Sequence, residues 1–508
     1  MTKLLTSKLL GPAAARSCRT GSTGTFSLVR TACLIFVFCA AAAIASPAQT
    51  FTIRASFDGT NGANPYTGLV QGTNGNFYGT TFEGGTNGGG TAFEITPAGA
   101  LTTLYNFCAQ PKCYDGAGPS GLILASNGNL YGITSSTEVI NLGTVFEITP
   151  EGTFTTIYHF CPQYGCDDGM YPSSLLQASN GNFYGTTSHG GVNGTGTVFE
   201  VTAEGVLTTL HTFNFADGTY PTGLVQATNG NFYGTTFEGG SINCSGSAGC
   251  GTVFEMTPAG KLTTIYIFCS QSCHDGAWPA GGLIQASNGN IYGTTTAGGA
   301  YDDSAGTVFE ITPAGKLTAF YSFCEGQTKC TDGTGGPPYV LMQATDGNLY
   351  GTTAGANYNV TNKNGTIFEL TTTGELTTLY NFCSQRECAD GADPVAGVLQ
   401  GTNGTLYGTT AGGGTNNEGI VFSLSVGLGL FVKTNPTAGK VGANVIILGN
   451  NLKGATEVTF NGVDATITSD SNTAIMTTVP TGATTGVVEV TTAAGMKLES
   501  NIAFQVIP

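Results

Sequence analysis

Short runs of alternating apolar and polar residues recur along the chain, each closed by a turn signal. Residues 223–268 show one full unit. Gly223-Leu224-Val225-Gln226 is a short apolar run, and Thr228-Asn229-Gly230-Asn231 is an Asn-Gly turn, the strongest short hairpin signal. Phe232-Tyr233-Gly234-Thr235-Thr236 predicts a second strand. After a variable Gly-rich loop, Gly251-Thr252-Val253-Phe254-Glu255-Met256-Thr257 predicts a third, rich in β-formers. Pro258-Ala259-Gly260 turns the chain into a fourth, Leu262–Phe268. The period is two throughout, with no helical spacing.

The unit repeats. Tyr-Gly occurs at Tyr78, Tyr131, Tyr184, Tyr233, Tyr292, Tyr350 and Tyr407, at spacings of 53, 53, 49, 59, 58 and 57 residues. Four antiparallel strands at such a period predict a propeller blade. The last unit reads Gly419-Ile420-Val421-Phe422-Ser423 and then lacks its fourth strand. The missing copy stands at the other end, Phe51–Phe57. The expected fold is therefore all-β: a seven-bladed propeller over 49–428, closed by its N-terminal strand. Closure hides the sheet edges that otherwise invite aggregation.

Gly-Asn-x-Tyr-Gly-Thr-Thr, Gly-Thr-Val-Phe-Glu-x-Thr and Leu-Thr-Thr-Leu-Tyr-x-Phe, as at 181–187, 306–312 and 376–382, carry a family likeness. The unit resembles the GloVer tandem repeat of exported bacterial proteins. The resemblance implies export and surface display and brings no established reaction. Residues 432–508 resemble an IPT/TIG domain, an immunoglobulin-like sandwich. The matching stretches are Asn435–Gly439, Val445–Leu452, Val458–Gly462, Val479-Pro480, Thr485–Val490 and Phe504. Alternation and turn spacing there independently suggest a small sandwich. The resemblance implies a spacer or an adhesive module, the spacer being the leading reading.

Composition narrows the compartment. Residues 1–48 hold Lys3, Lys8, Arg16, Arg19 and Arg30, no acid, and an apolar run Ala32–Ile44. This reads as a secretory signal cleaved after Ala45 or Ala48. The run is shorter than the ~20 residues that span a bilayer, and no later stretch is long and apolar enough to do so. Of 15 Cys, twelve lie beyond the signal as six close pairs. They are Cys108/Cys113, Cys161/Cys166, Cys244/Cys250, Cys269/Cys273, Cys324/Cys330 and Cys383/Cys388, and they read as disulfides of an oxidising compartment. Thiolate metal binding is the rival, but the pairs stand too far apart in sequence to suggest one site. The protein is thus expected to be secreted or held at the cell surface.

Acids outnumber bases 32 to 16, which argues against a nucleic-acid partner. Much of the acidity is periodic. Asp-Gly recurs at Asp58, Asp115, Asp168, Asp217, Asp275, Asp332 and Asp390, with a proline a few residues later. The leading reading is a turn in which Asp bonds backbone amides; the rival is a carboxylate ring for Ca²⁺ or hydroxyl-rich ligands. A third-strand Glu recurs at Glu94, Glu147, Glu200, Glu255, Glu310 and Glu369. Partly buried, it requires Thr or Tyr hydroxyl donors. Tyr-Gly reads as packing between blades, with Gly permitting close approach; sugar stacking on these tyrosines is the rival.

No enzyme motif or metal spacing appears, and the four histidines, His159, His189, His211 and His274, sit in different units. No cofactor is expected, Ca²⁺ being the one weighed. The second-to-third loops and those joining units are long and variable, hold all six Cys pairs and emerge on one face, where binding residues favour rigid-framed loops. The most asymmetric stretch holds His274, Trp278, Tyr301, Asp302 and Asp303. The leading expectation is a non-enzymatic binding or adhesion protein for a glycan or an extracellular protein. An exported polysaccharide- or lactone-acting enzyme and a purely structural envelope protein are the alternatives.

Overall fold

The computed structural model describes residues 49–135, 142–162, 165–240, 249–270, 272–300, 305–325, 332, 341–354 and 364–507. The expected signal, Cys244, Cys330, Tyr301, Asp302 and Asp303 lie outside them. Ala48–Pro508 is one compact unit. Among the described residues the chain is all-β, apart from two short 3₁₀ turns, Pro111–Cys113 and Arg386–Cys388.

Each of the seven periodic Tyr-Gly pairs lies in the second strand of an antiparallel sheet, and in the first six sheets the strands follow chain order. In the fourth repeat, Thr219–Gln226 pairs with Phe232–Glu238, that with Thr252–Met256, and that with Leu262–Ile267. The first strands of repeats one, six and seven are only two residues long, Val70–Gln71, Met342–Gln343 and Leu399–Gln400. The seventh sheet takes its fourth strand from the N-terminus: Thr50–Ser56 pairs with Ile420–Ser425, and Arg54 Nε donates to Ser423 Oγ at 2.8 Å.

Neighbouring sheets pack through buried aromatics. Tyr131 stacks on Phe183, Tyr184 on Phe232 and Tyr407 on Phe77, at centroid distances of 4.2, 4.4 and 4.0 Å. The last pair joins the final repeat to the first. The Tyr-Gly glycine admits the third-strand Phe, since a Cβ at Gly234 would lie 2.2 Å from Phe254 Cζ. The tyrosines are buried between sheets, which removes the sugar-stacking reading at these positions.

The C-terminal module holds two four-stranded sheets and a parallel pair, Ala438–Lys440 with Gln505–Ile507. One orders Lys433–Asn435, Asn444–Leu448, Ala474–Thr478 and Ser469–Asp470; the other holds Val463–Asp464, Glu457–Phe460, Val488–Thr491 and Lys497–Glu499. Val445, Ile447, Val458, Phe460, Ile475, Val488 and Phe504 fill its core. Asn444–Leu448 is buried on both sides, because Ile446 and Leu448 pack on Tyr78, Leu122 and Leu124 of the repeats. A spacer would hang free; this module is seated on the repeat sheets.

Candidate functional site

The repeats have two unlike ends. At the end with the short turns, the third-strand Glu of repeats one to five accepts from the Tyr-Gly hydroxyl and from turn asparagines. Glu94 Oε1 takes Tyr78 Oη, Asn74 Nδ2 and Asn76 Nδ2, all at 2.8 Å. Burial opposes ionisation of Glu94, but these donors outweigh it and hold its pKa below the ordinary value. The tyrosines are the expected donors; the asparagines were visible as part of the turn and were not read as donors. In repeat six, Asp346 replaces the first asparagine and takes the Tyr350 hydroxyl itself.

At the loop end, the Asp-Gly carboxylates are each engaged locally. Asp115 accepts from Tyr105 Oη at 2.8 Å and from the amides of Ala109 and Gln110. Tyr158, Tyr266, Tyr321 and Tyr380 serve Asp168, Asp275, Asp332 and Asp390, and His211 serves Asp217. Asp58 is exposed and binds the Thr60 and Asn61 amides. The turn reading of Asp-Gly fits these contacts, and the carboxylates of different repeats do not converge on one another. Asp275 alone of these keeps a buried oxygen, Oδ1, without a partner; its neighbouring Cys269–Cys273 loop is one residue shorter than that of Cys108–Cys113.

The disulfides Cys108–Cys113, Cys161–Cys166, Cys269–Cys273 and Cys383–Cys388 are formed, and Cys250 and Cys324 are also disulfide-bonded. Sequence distance misled at one point. The sulfurs of Cys250, Cys269 and Cys273 come within 4.8 Å of one another, because Cys250, just ahead of the third strand of repeat four, lies beside the connection to repeat five, where Trp278 N donates to Cys250 O. As disulfide sulfurs they are not thiolate ligands.

Trp278 belongs to a set that the sequence reading did not join together. The residue before the first-strand proline is Asn64, Gly118, Tyr171, Tyr220, Trp278 or Asp393, and each has φ between 54° and 60°. The fold imposes this left-handed backbone. It aims the amide at a carbonyl of the preceding repeat: Tyr220 at Thr195, Trp278 at Cys250, Asn64 at Glu418 and Gly118 at Gly89. Gly118 adopts it without strain. For the large side chains it costs about 1–2 kcal/mol each, so Tyr171, Tyr220 and Trp278 occupy positions where backbone geometry favours glycine.

These three, on consecutive repeats, form an aromatic arc. His189 packs between Tyr171 (5.4 Å between centroids) and Tyr220 (4.8 Å), and Phe237 lies over Trp278 at 6.5 Å. All five are half-buried. Burial lowers the His189 pKa, which favours the neutral ring. On repeats seven and one the equivalent positions are polar: Asp393 is exposed, and Asn64 Nδ2 donates to the exposed Glu83 at 3.0 Å. His274, the other described candidate, is exposed beside Cys273 and is not in any of the arc's ring contacts. The signal for the arc was present, since each member stands just before a proline that follows an Asp-Gly.

The family model of the Gloeobacter/Verrucomicrobia repeat matches residues 41–246 and 240–468. The chain belongs to the Gloeobacter/Verrucomicrobia repeat family. In this repeat protein an IPT/TIG domain model also matches residues 431–506. No curated protein matches the chain. Among solved structures, the extracellular domain of a protein described as a hybrid two-component system of B. thetaiotaomicron is 12% identical with a TM-score of 0.48. That match covers 87% of this chain and 54% of the other, so the repeat protein spans little over half of it. A luciferin-regenerating enzyme is 14% identical, TM-score 0.38, covering 62% of this chain and 93% of its own. An auxiliary nutrient binding protein from Bacteroides ovatus is 12% identical, TM-score 0.37, covering 60% and 68%.

Proposed function

We propose that the protein is an exported, non-enzymatic binding protein whose repeats close into a seven-bladed propeller and whose loop-end mouth binds a neutral glycan. Support for closure comes from the N-terminal strand in the seventh sheet, the Phe77–Tyr407 stack and the hydrogen bonds of Thr409 to Pro65 and Thr67. Export is supported by the disulfides and by the signal-like leader.

The observation that carries the binding reading is the trio Tyr171, Tyr220 and Trp278, held at a backbone cost where glycine fits. An observed backbone outlier of this kind is grounds for a functional hypothesis. First strands lie innermost in such a ring, so the trio walls one side of its loop-end mouth, and Asp393, Asn64 and Glu83 stand on the other. Aromatic faces stack on the C–H faces of a sugar, while carboxylates and an amide bond its hydroxyls. The loop segments at 59–66, 82–90, 187–192, 218–222, 276–282 and 391–395 contain no Lys or Arg, so these segments offer an anionic sugar no counter-charge; the exposed Lys112 and Arg386 stand in the connections between repeats. Binding to an array of neutral and acidic glycans tests this. Neutral glycans are expected to bind, and Trp278→Gly and Tyr220→Gly to weaken them at least about tenfold. An array without binders, or binding unchanged in both variants, overturns it.

A further inference from the structure

The turn end carries a second periodic device. The last residue of each first strand is glutamine in six repeats, and its Oε1 accepts the amide of the Asn-Gly or Asp-Gly turn of the repeat before. Ser126 bonds Gln177 at 2.8 Å, Ser179 bonds Gln226 at 2.9 Å and Thr228 bonds Gln285 at 2.8 Å. Ser287 bonds Gln343, Thr345 bonds Gln400 and Thr402 bonds Gln71, at 2.8, 3.0 and 3.1 Å. The junction of repeats one and two breaks the series, because Leu124 stands where the glutamine belongs and its side chain has no acceptor.

The C-terminal module sits at that junction. Ile446, Leu448 and Ala474, with Met476 beside them, pack on Leu122 and Leu124. Asn435 Nδ2 donates to Leu124 O at 2.9 Å, and Thr473 Oγ1 donates to Thr73 O at 2.7 Å. Further contacts reach outward. Asn450 Nδ2 donates to Thr402 Oγ1 at 2.8 Å on repeat seven, and the Gln505 side-chain amide meets Thr228 O on repeat four. In a ring of seven, repeat four lies opposite the junction of repeats seven and one. A body that touches the turns of repeats seven, one, two and four crosses the axis.

Lys433 marks the crossing. It lies two residues from Phe431, whose amide bonds Thr402 O, and two from Asn435, on the same side of its strand as Asn435. Thr434, between them, is buried and faces the other way. The described first strands of the repeats carry no charged residue. Among the described residues the Lys433 ammonium has no hydrogen bond or ion pair, and burial lowers its pKa.

We propose that residues 431–507 are a fixed floor across the turn end of the ring, seated at the one junction where leucine replaces glutamine. The inference rests on the closed ring proposed above. It turns a through-channel into a cup whose opening is the aromatic mouth.

Lys433 is the reporter. The full-length protein is treated with an N-hydroxysulfosuccinimide acetate ester, and acetylation is followed by peptide mass. Lys433 is expected to react at least about tenfold more slowly than the exposed Lys440, Lys453 and Lys261. Leu124→Gln restores an acceptor to the turn of repeat one and removes the apolar seat, so Lys433 should approach the rate of Lys440. Gln177→Leu breaks a different junction and should leave Lys433 protected. Should Leu124→Gln fail to fold, the double variant Asn435→Ala/Thr473→Ala replaces it, with the same expected exposure. Lys433 reacting as fast as Lys440 in the unaltered protein, or staying protected in the folded seat variants, overturns the floor. Failure of the ring itself reads out separately, as an unchanged melting temperature after removal of residues 49–58.

Discussion

The turn end and the loop end of the repeats are built from the same strands and obey opposite rules. At the turn end, one Tyr–Glu–Asn network and one glutamine bond recur with few substitutions, and the sole glutamine gap is covered by the C-terminal module. At the loop end the backbone recurs just as strictly, with φ near 55° before each described proline that follows an Asp-Gly, but the side chains at that position differ in every class: amide, glycine, aromatic, carboxylate. Uniform side chains on a uniform frame indicate structure. Varied side chains on a frame that resists them indicate selection for something other than stability.

The comparison can be broken most forcefully at the seam between the first and last repeats. Removing residues 49–58 deletes Phe51, stacked on Tyr380, and the buried Phe57. It also strips the edge of the seventh sheet. Two such aromatic losses together cost on the order of 6–10 kcal/mol, so calorimetry should find the repeat transition lowered or absent. Next in size is Gly234→Ala, which drives a Cβ into the Phe254 ring and should cost about 1–3 kcal/mol in urea unfolding. Tyr233→Phe removes one donor from Glu255 and leaves Asn231, for about 1 kcal/mol by the same measurement. At the loop end the matching change should be nearly silent. Trp278→Gly loses half-buried contacts but relieves the left-handed strain, and is expected within about 1 kcal/mol of the unaltered protein. A loss there as large as that of Gly234→Ala would erase the distinction between the two ends.

Titration sharpens the same contrast. Burial, then the hydrogen bond to a carboxylate, pushes Tyr131, Tyr184, Tyr233 and Tyr292 up to about 12, from an ordinary value of 10. A folded pKa above the unfolded one gives stability that is complete below pH 10 and is lost as pH rises towards 12. Glu94 and Asp390 are lowered, so their contribution is complete above the ordinary carboxylate range and disappears as pH falls below it. Melting temperatures should therefore fall on both sides, with the alkaline loss smaller in Tyr→Phe variants at the turn end but not abolished, since Tyr266 and Tyr380 at the loop end are also raised to about 12.

Strand order, the borrowed strand and the four described Cys pairs were legible because each depends on local periodicity or on counting copies. The glutamine series was equally legible, at Gln71, Gln177, Gln226, Gln285, Gln343 and Gln400 with Leu124 as the exception. It was passed over because a polar residue ending an apolar strand looks like any strand end. The arc needed two facts together, a proline one residue on and a left-handed φ, and only coordinates supply the second. Contacts between elements far apart in sequence left no trace: neither Cys250 beside Cys269–Cys273 nor Thr473 on Thr73 follows from any spacing.

The borrowed strand also sets a timetable for folding. Arg54 and its partner Ser423 are 369 residues apart. A chain made from its N-terminus presents Thr50–Ser56 long before Ile420–Ser425 exists. During that interval the first strand is an unsatisfied β-edge, and the six complete sheets can form while the seventh cannot. Contacts of such sequence separation make folding slow and leave edges exposed to other chains. The cell that makes this protein therefore has to shield a short stretch, Phe51-Thr52-Ile53, until the last repeat arrives.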